Sequence, residues 1–224
     1  MNIIKHLVPA FLMFIVAACG GAETSEHGAT PEMDEAAEMA ADVYSGPNAD
    51  LVAEFNTGGE LLLASVDGLS EAQWTYRESE DRWNIAEVCE HVVLAEGGIV
   101  GGFVANLVSG EPSAEDTVDD AEVDAGVRAM IRDRSNPVQT NEQMDPTGAY
   151  ATPADCIAAF GAVRAKTLEF LMTSDADFRT FSGTLTPEVP PMDAHQWLIF
   201  SAGHVERHVA QIDQVKADEG YPSM

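Results

Sequence analysis

The chain has 224 residues, 46% apolar and 7% aromatic, enough for one domain, two at most, with an aliphatic, helical core. Its 38 acids against 11 Lys and Arg give a formal charge of -27, which repels phosphate backbones and excludes nucleic acid as a partner. Three cysteines are too few for a disulfide scaffold, and no uninterrupted apolar run reaches the roughly 18 residues needed to cross a bilayer.

Residues 1–18 read as a signal peptide. Lys5 lies in a short n-region, and Leu7 to Ala18 form an apolar stretch of 12 residues broken only by Pro9, too short for a membrane helix. Val16-Ala17-Ala18-Cys19 resembles the bacterial lipobox, in which small residues precede a cysteine that is acylated and becomes the mature N-terminus. Ordinary secretory cleavage is the alternative. The lipobox reading makes Cys19 the lipidation site. The protein is then exported and anchored to the bacterial cell envelope by acyl chains, with no other membrane contact. Residues 19–46 are acidic, Gly/Ala/Met-rich and free of Lys and Arg, as expected of a disordered tether.

Residues 47–220 read as four long helices. The first runs from about Asn48 to Val66, with Leu51, Val52, Phe55, Leu62, Leu63 and Val66 at helical spacing. Gly58-Gly59 in its middle costs about 1 kcal/mol per residue relative to Ala, which implies a close helix contact or a kink. Gly68-Leu69-Ser70 ends it. The second helix starts at Asn84, with Glu87 closing a capping box and Trp83 as a hydrophobic staple. It runs to about Val108, with a stripe of Val88, Val92, Ala95, Ile99 and Phe103 and with His91 beside it.

Residues 109–151 form a long connection holding one short amphipathic helix (Val123, Val127, Met130, Ile131). Such a length lets the third helix run parallel to the second. The third helix begins at Thr152-Pro153-Ala154-Asp155 and continues to about Met172. Residues 174–191 are a loop, or a short hairpin around Ser182-Gly183. The fourth helix runs from about Met192 to Ala217, with Trp197, Leu198, Ser201, Val205, Ile212 and Val215 inward.

Three histidines carry the chemical signal. His204 and His208 stand four apart and share the apolar face of the fourth helix. His91 lies on the corresponding side of the second. Three imidazoles in one core need partners, and a divalent metal satisfies all three while leaving a position for water or substrate. Taken singly, each histidine reads more readily as a structural residue, and spacing alone does not bring His91 to His204. His195, nine residues before His204, is left out of the site. Gln211 returns to the metal face, where it orients a ligand or a water, or is a core-edge amide. Glu206 and Arg207 face partly away, either supporting the ligands from behind or lying on the surface. Glu87 is a helix cap whose alternative role is a general base, and Glu96 is too far round the helix. Cys89 points about 160° away from His91 on the helix and is no ligand. Cys89 and Cys156, each near the start of its helix, either form a disulfide in an oxidising compartment or stay buried thiols. Thiols are preferred, because the sequence does not set their geometry.

Trp83-Asn84-Ile85-Ala86-Glu87-Val88-Cys89-Glu90-His91 resembles the W-S-x-x-E-V-x-x-H pattern of the DinB-like (YfiT-like) superfamily. His204 to Ile212 resembles its H-x-x-R-H-x-x-Q-I signature, and Leu69 to Trp74 is similar to the segment that ends its first helix. The resemblance covers about residues 47–218. It implies an all-α, up-down-down-up four-helix bundle and a divalent metal held by His91, His204 and His208. It also implies hydrolase chemistry, or transferase chemistry using thiols such as mycothiol or bacillithiol, although many relatives have no known activity. The export signal departs from the thiol-dependent relatives, which work in the cytosol. Two functions follow. One is a lipid-anchored metal-dependent hydrolase or thiol-dependent transferase acting on an unknown small molecule. The other is a non-catalytic metal-binding or interaction domain of the cell envelope, its bundle stapled by the metal. Imidazole ligands suit Zn, Ni, Fe or Cu, and a homodimer is compatible with either function.

Overall fold

Capping chemistry sets where most of the helices begin. The computed structural model describes residues 44–113, 121–135, 142–185, 189 and 191–223; the signal peptide, Cys19 and residues 19–43 of the tether lie outside them. The elements are α1 (Ala49–Val66), α2 (Glu71–Trp74), α3 (Ile85–Glu96), a π-helix (Gly97–Val104) that ends as α4 (Ala105–Val108), α5 (Ala121–Arg132), α6 (Pro153–Thr173) and α7 (Ala194–Lys216). Ser70, Asn84, Thr152 and Asp193 form reciprocal capping boxes with Gln73, Glu87, Asp155 and Gln196. Each box satisfies two backbone donors that a helix start otherwise leaves orphaned. Among the described residues the chain is mostly helical, its strands limited to β1 (Ser182–Gly183) and β2 (Met192–Asp193), paired antiparallel.

Two starts differ from the sequence expectation, both because of a cap. Asp193 caps α7, so Met192 is left in β2 instead of opening the helix. Ser70 caps α2, so residues 71–74 form a helix of their own.

α1 and α3 each pack against both α6 and α7. Leu51, Phe55, Leu62, Val92, Trp197, Leu198 and Ile212 are fully buried between them. Each such side chain contributes about 2 kcal/mol by leaving water. Gly58-Gly59 marks a close contact. A Cβ on Gly58 would stand 3.5 Å from the Ala202 carbonyl oxygen, and one on Gly59 would stand 2.7 Å from Arg164 Nη1. The π-helix was not legible in GGIVGGFV. Its wider turns shift the inward register, so Val100 and Val104 are buried. Phe103, expected in the stripe, is half-buried with its ring 5.3 Å from that of Trp197.

Contacts between helices fall in order along them. Cys89–Cys156 and Glu96–Arg164 join α3 to α6. Asn48 Nδ2 donates to the Leu171 carbonyl at 2.7 Å, and Arg164 donates to the Phe55 carbonyl, joining α1 to α6. Asp50 lies 3.9 Å from His195, and Lys216 donates to the Ser65 carbonyl, joining α1 to α7. The cysteines form a disulfide (Cα–Cα 6.4 Å), which corrects the preference for thiols. Direct packing of α3 on α6 sets the two at one level, a fact that spacing within each helix does not contain.

The 85–108 helical run has the length and apolar composition to cross a membrane. That corrects the sequence expectation, which counted only uninterrupted apolar runs. It is also a core element here, with Glu90, His91 and Glu96 buried. α5 forms where expected, but only Val127 and Ile131 of its four apolar residues are buried; Val123 and Met130 are 41% and 43% exposed. Arg179 bonds Asp124 at 2.9 Å and Asp193 at 3.1 Å, pinning α5 to the start of α7.

Arg164 is the main polar tie of the core. Its Nε and Nη2 meet the Glu96 carboxylate at 2.9 and 2.8 Å, and its guanidinium lies over the rings of Phe55 and Phe160. Arg164→Met should cost about 3–5 kcal/mol in urea denaturation, because it strands the Glu96 charge in the core. Replacing Glu96 by Leu in the same chain should recover most of that loss.

Candidate metal centre

α7 sets His204 and His208 one turn apart on its inner face, and α3 presents His91 to them across the bundle. His204 Nε2 lies 3.3 Å from His91 Nε2 and 3.1 Å from His208 Nε2. One ligating nitrogen from each histidine falls within 4.8 Å of the others, so the three could hold a metal ion. His91 and His208 are buried and His204 is half-buried. The Trp83 ring sits 4.9 Å from that of His91, and Phe200 stacks near His204 at 6.3 Å.

The hydrogen bonds behind the rings decide what the front can do. His91 Nδ1 is 2.8 Å from the Met144 carbonyl oxygen, which only accepts, so Nδ1 carries the proton. His208 Nδ1 likewise meets Gln211 Oε1 at 2.9 Å. Both Nε2 atoms therefore present lone pairs to His204 Nε2, which has at most one proton to give. One buried lone pair is left unmatched among these three rings, and a cation at their centre resolves this. Electrostatics agree. Burial is the largest cause lowering all three histidines; the charges of the neighbouring histidines add to it at His204 and His208, while the Met144 carbonyl and Asp145 oppose it at His91. His208 is pushed down to about 3, and His204 lies well below its ordinary value. Neutral imidazoles are the form that ligates metal.

Sequence reasoning missed Glu90. Its carboxylate accepts from the Thr147 backbone N–H and hydroxyl and from the Gly148 and Ala149 N–H groups, at 2.8–3.0 Å. Burial pushes its pKa up, but these bonds outweigh that and hold it below the usual carboxylate value. Glu90 thus anchors the 147–149 turn just after Met144, the residue whose carbonyl orients His91. On the helix pattern alone Glu90 reads as one more surface acid. The only signal was the Thr147-Gly148 turn more than 50 residues on, with Gly148 at φ +82°.

The other sequence candidates separate. Gln211 reaches His208 from behind, as above. Arg207 donates to the carbonyls of Ile131 (3.3 Å) and Asp133, fastening the end of α5 to α7, while its charge acts on His204 and His208. Glu206 pairs with Arg132 at 2.7 Å. Glu87 caps α3 and pairs with Arg77 at 2.6 Å. Glu96 is bound to Arg164, and His195 belongs to a separate cluster with Asp50 and Asp124.

Two outcomes follow. In metal-free protein, histidines of the unfolded chain titrate near 6.5 while His208 stays neutral to about 3. Stability is then full above pH ~6.5 and falls on acidification by about 1.4 kcal/mol per pH unit from His208 alone. Denaturant midpoints between about pH 7 and pH 4 should trace this slope, and His208→Gln should flatten it. Glu90→Gln should loosen the turn behind His91 and weaken metal binding about 10–100-fold in a competition assay with a chelator.

Comparison with curated proteins and with solved structures finds no match. Comparison with protein families finds the DinB superfamily over residues 54–212, a span that holds all three histidines and both motifs that carried the resemblance. The chain belongs to the DinB superfamily.

Proposed function

We propose that this chain is an exported, lipid-anchored metalloenzyme, with His91, His204 and His208 holding a divalent cation such as Zn, Ni or Fe. The observation that carries the proposal is the convergence of three neutral imidazoles with an unmatched lone pair. Membership of a superfamily whose proteins often bind metals supports it. The proposed frame is an up-down-down-up bundle of α1, α3, α6 and α7. Ordered contacts support that direction: positions 89 and 96 meet 156 and 164, positions 48 and 55 meet 171 and 164, and positions 50 and 65 meet 195 and 216.

When bound, a metal held by His91, His204 and His208 would supply a Lewis acid. Met144 and Gln211 fix the ring orientations, and Trp83 and Phe200 flank two of the imidazoles with apolar surface. Half-burial of His204 leaves the centre reachable, which favours an enzyme over a closed structural staple. Hydrolysis is favoured over thiol-dependent transfer. The Cys89–Cys156 disulfide suits an oxidising compartment, which supports the export reading and argues against a cytosolic thiol co-substrate.

Metal analysis of the purified full chain, beside a His204→Ala, His208→Ala variant, tests the proposal. About one ion per chain in the wild type, absent from the variant, is expected. No uptake by either after reloading at neutral pH overturns it.

A further inference from the structure

Arg77, Arg82, Arg128, Arg132, Arg164 and Arg179 each reach a carboxylate. Arg134 does not. Its Nη1 donates to the Arg207 carbonyl at 3.0 Å and its Nη2 to Gln214 Oε1 at 2.7 Å, both neutral acceptors. A guanidinium has five N–H donors, and these bonds use two. In a chain with 38 acids and 11 Lys and Arg, a half-buried arginine with no ion pair among the described residues stands out.

Its place gives that charge a use. Arg207 and Gln214 flank Gln211 on α7, and Gln211 is the residue that holds His208. The Arg134 guanidinium therefore lies along the stripe bordering the histidines. Arg207 is drawn to the same edge by its bonds to the Ile131 and Asp133 carbonyls. Burial, with the charges of Arg207 and Arg82, lowers the Arg134 pKa against a pull from Glu78, and Glu78 is itself engaged by Arg82 at 3.6 Å. The positive charges of Arg134 and Arg207 both reach His208. The three histidines bring no negative charge to offset a divalent cation.

We propose that Arg134, with Arg207 beside it, binds an oxyanion of a small anionic substrate, a carboxylate or a phosphate, at the edge of the three-histidine centre. The planar fork of Arg134 suits two-point recognition of such a group. The identity of the group as substrate rests on the enzymatic reading above; its binding does not.

The test is calorimetric titration of the full chain, metal-free and metal-loaded, with succinate and with inorganic phosphate at constant ionic strength. Saturable binding of at least one probe to both forms is expected, and the tighter probe names the group. Arg134→Gln should weaken it about tenfold, while Arg128→Gln, which breaks a pair with Glu54, should leave it within about twofold. Arg134→Lys keeps the charge and loses the fork, so it should also weaken binding; it decides the matter if the Gln variant does not fold. No saturable binding by the wild type, or unchanged affinity in the folded Arg134 variants, overturns the proposal. Metal content is measured on the same samples. Arg134-dependent binding in protein that takes up no metal would keep the oxyanion site and remove the metalloenzyme.

Discussion

Three imidazole Nε2 atoms facing one another inside a helical bundle, with one lone pair more than they can match, form an arrangement that the rest of the fold must hold in place. Water would satisfy each nitrogen separately, and the core does not. The backbone carbonyl of Met144 and the amide of Gln211 set the protons on the outer nitrogens of His91 and His208, and so turn the inner ones toward His204. α3 and α7 must then keep their spacing. Disulfide, bidentate ion pair and capping boxes all act on the elements that carry or brace these two helices.

The brace is polar as well as apolar. Arg164 links α3, α6 and α1 through Glu96, the Phe55 carbonyl and two aromatic faces, and Gly59 supplies the room for its guanidinium. Such a buried pair is not a strong source of net stability, but its geometry admits few alternatives. Arg179 and Arg207 fasten α5 and the residues after it to α7. Arginine is thus the recurrent joint of this acid-rich chain. Its delocalised charge and five donors let one side chain join several elements.

Much of the fold was legible in the sequence because helix signals are local. Thr152, Asn84 and their acidic partners three residues on marked two starts, and apolar spacing marked the first, second and fourth long helices. The π-helix was hidden because glycines carry no face, so GGIVGGFV shows no period that would reveal the wider turn. Of the candidate site, the pair His204 and His208 was readable from a spacing of four, and His91 from the family resemblance. Arg134 and Glu90 were not, because their partners lie far off in sequence, at residues 207 and 214 and at residues 147–149.

The sequence by itself determined the helices, their caps, the acidic charge and the types of side chain available for chemistry, since all of these depend on neighbours within a turn or two. Tertiary structure alone decided that Cys89 and Cys156 meet, that Glu90 steadies the turn behind His91, and that Arg134, with no ion pair among the described residues, bonds α7 at Arg207 and Gln214. Those outcomes depend on which helix packs on which and at what height, and no periodicity within one helix carries that information.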